Sequence, residues 1–148
     1  MKTAFALLTV TWAVSASSDA PRILHPLEPI EHLSIACGCA FHAAEPGQPF
    51  YSGPSLLVLD PNGEPPTARV NLGQGNIKLR PAKPIEFPLY ACEAGALWTS
   101  IWHSEEIQIQ ADLRALKTGG ESCWFEGTVT ASIGNRSELA SINGACGC

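Results

Sequence analysis

The chain has 148 residues, a net charge of −5 and 45% hydrophobic residues, so it is long and apolar enough for one domain with a real core. A mildly acidic chain gains nothing from counterion release on a phosphate backbone, which argues against nucleic acid and anionic membranes as partners. Its six cysteines are an even number, which in an exported protein favours disulfide bonds.

Residues 1–16 have the three parts of a secretory signal peptide. Lys2 gives a basic start, residues 4–14 form an uncharged apolar run, and small residues precede a cleavage site after Ala16, with a second possible site after Ser18. The apolar run is far shorter than the roughly 20 residues of a membrane-spanning helix. We therefore predict an exported protein, periplasmic or extracellular, without a membrane span. Removal of residues 1–16 takes away one lysine and no acid, which changes the net charge from −5 to −6.

The next segment, residues 17–32, contains Pro21, Pro26 and Pro29 and has no periodic pattern. It is interpreted as an extended, proline-containing leader. A single domain over residues 33–148 follows.

Alternation of apolar and polar residues predicts strands along this domain. The segment 97–102 is ambiguous, because Trp98 and Trp102 would also lie on one face of a helix, but its aromatic and β-branched neighbours favour a strand. Turn residues separate the segments, and no convincing helix is found. This pattern predicts an all-β fold, a single antiparallel β-sandwich or small barrel of about seven or eight strands stabilised by disulfides. The predicted strands cover residues 33–41, 55–60, 68–72, 77–79, 97–102, 107–115, 123–133 and 140–148.

The motif Cys-Gly-Cys occurs twice, at residues 37–39 and 146–148, near the two ends of the domain. Residues i and i+2 of a strand share a face, so each motif presents two sulfurs on one side, roughly 6–7 Å apart. If the two strands are neighbours, four sulfurs converge. Structural disulfides between Cys37, Cys39, Cys146 and Cys148 are the favoured interpretation. The alternatives are a tetrathiolate site for zinc or copper, and a redox disulfide within one motif.

Cys92 and Cys123 are the further disulfide candidates. With Asn135 and Arg136 as a two-residue hairpin loop, Cys123 would lie opposite Cys148, and Phe125 opposite Cys146. We therefore predict a Cys123–Cys148 disulfide, which leaves Cys146 to bond Cys37 or Cys39. A Cys92–Cys123 bond is the competing arrangement.

Residues for catalysis are not identified, because the sequence lacks the serine hydrolase, zinc protease and phosphate-loop motifs. His42 has the opposite parity to Cys37 and Cys39, so a regular strand directs it to the outer face and away from a metal site. A sugar- or protein-binding patch could be built from four aromatic residues, although single aromatics more often belong to the core. These four are Tyr51, Trp98, Trp102 and Trp124.

The layout resembles a group of uncharacterised small exported bacterial proteins that begin with a Cys-x-Cys strand and end in Gly-x-Cys-Gly-Cys. The resemblance rests on residues 37–39, 68–73 and 144–148. It implies a bacterial, periplasmic home and no assigned activity.

The function predicted from the sequence is that of an exported, non-enzymatic binding or structural domain, inhibitor-like in character, without a cofactor. Its partner, a protein or a small molecule, is not identified by the sequence. The alternative is a metal-binding or thiol-redox protein that uses the two Cys-Gly-Cys motifs.

Overall fold

The structure is a computed structural model that describes residues 22–27, 37–50, 52–85, 92–119 and 121–148. Within these ranges, eight antiparallel strands follow one another around a closed barrel, and there is no helix. The all-β prediction is confirmed in its barrel form, and the sandwich alternative finds no support. The predicted signal peptide lies outside the described residues. The strands are β1 (Gly38–Ala43), β2 (Ser55–Asp60), β3 (Thr67–Asn71), β4 (Asn76–Pro81), β5 (Leu97–His103), β6 (Ile107–Gly119), β7 (Ser122–Ile133) and β8 (Arg136–Gly147).

The period-two alternation of the sequence separates the inside of the barrel from the outside. Along β7, Phe125 and Val129 are buried, whereas the residues between them are only partly covered. A barrel of eight strands is just wide enough for side chains to fill its interior. The largest fully buried side chains, Trp102, Phe41 and Phe125, belong to one continuous apolar core.

The barrel closes through a long pairing between its first and last strands. β1 pairs with β8 from Gly38 opposite Gly147 to Ala43 opposite Ile142. The pairing of β4 with β5 is much shorter, since it joins only Arg80 to His103 and Pro81 to Trp102. The terminal strands are therefore held firmly together, and the neighbouring Cys-Gly-Cys motifs are brought side by side.

The barrel has two different ends. Cys37 and Cys148 lie at one end, which we call the cysteine end. The opposite end, where β7 turns into β8, is partly covered by residues 22–27 of the leader. Ile23 and Leu24 are buried in the core, and the backbone N–H of Ile23 donates to the Glu138 carboxylate at 2.7 Å. This part of the leader is therefore packed against the barrel.

The β7–β8 hairpin is shifted by two residues from the predicted register. Its two-residue turn is Gly134-Asn135, with Ile133 opposite Arg136, so the prediction of Asn135-Arg136 was wrong. Tight hairpin turns require a positive φ at their first central residue, and Gly134 has a φ of 57°. Because the shift is an even number of residues, the inward parity of both strands is as predicted.

Candidate functional site

Three cysteines form a row across three adjacent strands. Cys39 on β1 lies opposite Cys146 on β8, which in turn lies opposite Cys123 on β7. All three are at most 2% exposed. Cys39 bonds to Cys146, and Cys37 bonds to Cys148 beside them, so two disulfides join the first and last strands. The sequence favoured structural disulfides among these four cysteines, but it did not predict this connectivity.

The third disulfide joins Cys92, which precedes β5, to Cys123 on β7. The predicted Cys123–Cys148 bond was therefore wrong. The two-residue register shift explains the error, because it places Cys146 opposite Cys123 and leaves Cys148 beyond the last pair of that hairpin. The competing arrangement, Cys92 with Cys123, is the one observed.

The described ranges contain no preformed site for the metal ion of the alternative hypothesis. All six cysteine sulfurs are in disulfides, and no group of three or more His, Cys, Asp or Glu side chains there is arranged to hold a metal ion. His42 is instead a structural anchor. Its Nδ1 atom lies 2.7 Å from the carbonyl oxygen of Gly53 and 3.3 Å from the hydroxyl of Ser55. The β1 register also shifts between Phe41 and His42, an irregularity that strict alternation did not reveal.

The possible aromatic patch is not built from its three described members, because Trp98 and Trp102 take core positions, the commoner role of single aromatics. Trp102 is fully buried, with its indole N–H donating to the Ser100 hydroxyl at 2.9 Å, and Trp98 packs against the core from the same strand. These two residues share the parity of the inward face of β5. Trp124 alone of the described three lies outside the core, and Tyr51 falls outside the described residues.

Trp124 has a different aromatic partner, Phe50, which sequence reasoning missed. The two ring centroids are 5.2 Å apart, and the Lys117 ammonium lies 5.2 Å from the centroid of the Trp124 ring. Phe50 comes from the loop between β1 and β2, so this contact joins the loop to the outside of β7. Nothing in the alternation of either segment signals it, because the contact is not part of a strand pair.

The connection between β1 and β2, which we call the β1–β2 loop (described residues 44–50 and 52–54), is tied down at its base. The backbone N–H of Ala43 donates to the Pro54 carbonyl at 2.8 Å, and that of Ala44 donates to the Ser141 carbonyl at 2.9 Å. A Cβ atom added at Gly53 would lie 2.1 Å from the Ala43 carbonyl oxygen, so the two backbones approach as only glycine permits. Residues 45–50 are exposed above this base.

A groove of about 530 Å³ lies on the outer face of β5 to β8, next to Ala44 at the start of the loop. Its wall at Leu97 is apolar, since that side chain is 81% exposed. Polar pairs cross its floor: the Thr99 hydroxyl donates to the Asp112 carboxylate at 2.7 Å, and Arg114 forms a salt bridge with Glu126. The loop and this groove together form one surface, which we call the loop–groove surface.

No family model, no curated protein and no solved structure matches this chain. The resemblance to small exported bacterial proteins therefore stays a hypothesis. In the ranges that the structure describes, no helix has the length and apolar character that a membrane crossing would need.

Proposed function

We propose that the protein is an exported, disulfide-stabilised, non-enzymatic domain that binds a partner protein through the loop–groove surface. The observation that carries the proposal is the exposed, anchored β1–β2 loop, whose Phe50 remains 37% exposed while its ring contacts the tilted ring of Trp124. The barrel interior is filled by the core, which favours the outer surface as the place of recognition.

An anchored loop is well suited to binding. Association loses free energy when flexible side chains and loops are ordered, and a loop that already has its bound shape avoids much of that loss. Phe50 and Trp124 offer rigid aromatic area, and Lys117 adds a charge next to them. Aromatic residues ringed by polar groups are typical of protein interfaces, and an exposed loop anchored at its base supports the inhibitor-like role expected from the sequence.

Export is the second part of the proposal. The three disulfides are consistent with an oxidising compartment, because thiols are kept reduced in the cytosol. The signal-peptide pattern of residues 1–16 supports the same location. The resemblance to exported bacterial proteins supports the periplasm in particular.

The competing hypothesis, a metal or thiol-redox protein, needs free thiols at the two Cys-Gly-Cys motifs. Thiol counting and metal analysis on protein purified from its native compartment distinguish this hypothesis from the proposed disulfide-stabilised domain. We expect no free thiol and no bound metal. Four thiols released only by a chelator would favour the metal hypothesis and overturn the disulfide-stabilised one.

Site-specific photo-crosslinking in the exporting cell tests the binding surface. A photoreactive residue at position 50 should give a discrete adduct with one protein, whereas the same residue at Leu139, which is 64% exposed outside the groove, should not. Excess purified wild-type protein should compete the adduct away, and Phe50→Ser protein should compete at least about tenfold less well, as a lost aromatic anchor predicts. Equal competition by the two proteins would refute the proposal.

A further inference from the structure

A second surface of the barrel, on the side of β3 and β4, gathers positive charge in an otherwise acidic chain. We propose that Arg69, Lys78 and Arg80 form a binding site for a small oxyanion that also carries a hydroxyl group, such as hydrogen phosphate. This proposal is independent of the loop–groove surface, which lies on other strands, so either can fail without the other.

The β3–β4 hairpin brings the three cations together. Arg69 on β3 is the direct partner of Lys78 on β4, and Arg80 follows two residues later on the same face as Lys78. Directly opposed residues have Cβ atoms roughly 5 Å apart, and residues i and i+2 lie roughly 7 Å apart along a strand. One oxyanion of phosphate size can therefore reach all three side chains. All three line the same pocket of about 440 Å³.

The three cations outnumber the two carboxylates that line the same pocket. None of the three forms a salt bridge with a described residue, whereas Arg114 pairs with Glu126 and Lys117 lies over Trp124. The Nε atom of Arg69 is buried and has no hydrogen-bond partner among the described residues. An unsatisfied guanidinium N–H costs free energy, so the described chain leaves part of the hydrogen-bonding capacity of Arg69 unused.

Two carboxylates, Asp60 and Glu64, line the same pocket and restrict the ligand further. One oxygen of Asp60 accepts the backbone N–H of Gly63 at 3.0 Å, and a carboxylate has further acceptor sites available. A ligand without a donor, such as sulfate, would meet these oxygens with repulsion. Hydrogen phosphate can donate its hydroxyl to them while its other oxygens accept from the cations. A hydroxy acid such as gluconate shares this chemistry.

Calorimetric titration of the mature protein at low ionic strength tests the site. Inorganic phosphate, sulfate and gluconate are the probes. We expect saturable binding of phosphate and weaker binding of sulfate, and a comparison of phosphate with gluconate identifies which hydroxylated oxyanion is preferred. Equal or tighter binding of sulfate would overturn the role given to Asp60 and Glu64. Absence of saturable binding by phosphate and gluconate alike would overturn the site.

Charge-matched variants separate the site from general electrostatics. Arg80→Gln changes an exposed residue and should leave the fold intact, yet weaken phosphate binding about tenfold, as expected for a lost charge-assisted hydrogen bond. Arg69→Gln should weaken it at least as much. Lys83→Gln, just beyond β4, removes the same charge outside the pocket and should change affinity less than about twofold. Equal losses for Arg80→Gln and Lys83→Gln would refute the proposal.

Discussion

Phe41 on β1 and Phe125 on β7 meet edge to face inside the barrel, with ring centroids 6.4 Å apart and ring planes at 63°. They are not neighbours in the sheet, because β8 runs between their strands. Gly144 of β8 is paired with both of them. The two rings can meet because this position has no side chain, and edge-to-face geometry is a favourable arrangement for aromatic rings.

Adding a methyl group at Gly144 should therefore destabilise the barrel. A Cβ atom there would lie 2.1 Å from the Ala40 carbonyl oxygen and 2.7 Å from Cδ1 of Phe41. We expect Gly144→Ala to lower the free energy of unfolding by about 1–3 kcal/mol, the usual cost of overpacking, in urea denaturation. The control is Ala145→Ser on the half-buried outer side, which should cost less than about 0.5 kcal/mol. Equal free energies of unfolding for the Gly144→Ala and Ala145→Ser variants would contradict this account.

The two disulfides between β1 and β8 should open in a fixed order under mild reduction. Cys148 is exposed, whereas Cys39 and Cys146 are 2% and 0% exposed. Attack by a thiolate requires access to a sulfur, so the Cys37–Cys148 bond should be reduced first. Differential alkylation followed by peptide mass spectrometry measures the order. Labelling of Cys39 and Cys146 ahead of Cys37 and Cys148 would contradict it.

Glu138 should hold the leader on the barrel. Its carboxylate accepts the backbone N–H groups of Ile23 at 2.7 Å and Leu24 at 3.4 Å. Glu138→Ala should lower stability by about 1–2 kcal/mol, since hydrogen bonds to a charged group are lost, and should expose residues 22–27 to proteolysis. Limited proteolysis with mass mapping measures the exposure. Glu105→Ala, in an exposed turn, is the control and should leave the cleavage rate unchanged.

The Arg114–Glu126 salt bridge should contribute little to stability. Its two side chains are 58% and 44% exposed, and exposed ion pairs contribute from zero to about 1 kcal/mol. Arg114→Ala should therefore change the denaturation midpoint only slightly. A decrease of more than about 2 kcal/mol in the free energy of unfolding would instead show that the pair supports the fold. If the small effect is found, this variant can be used to test the groove in partner binding without the complication of unfolding.

The positions and faces of the strands were largely readable from local pattern. The segment 55–60 was predicted with the bounds that β2 has, and the inward set of β7, including Cys123 and Phe125, was correct. Alternation is a property of consecutive residues in an extended chain, so it reports strand position and parity without knowledge of the partner strands.

The partners of those strands were not readable in the same way. Parity is unchanged by a shift of two residues, so alternation was compatible with Cys123 opposite Cys148. The turn at Gly134, which has a positive φ, instead sets a register in which Cys123 lies opposite Cys146. The same limit hid the contact of Phe50 with Trp124, the packing of Ile23 in the core and the pairing of Arg69 with Lys78. In each case, turns, loops or barrel closure bring the two residues together in space. The alternation within one segment carries no information about those contacts.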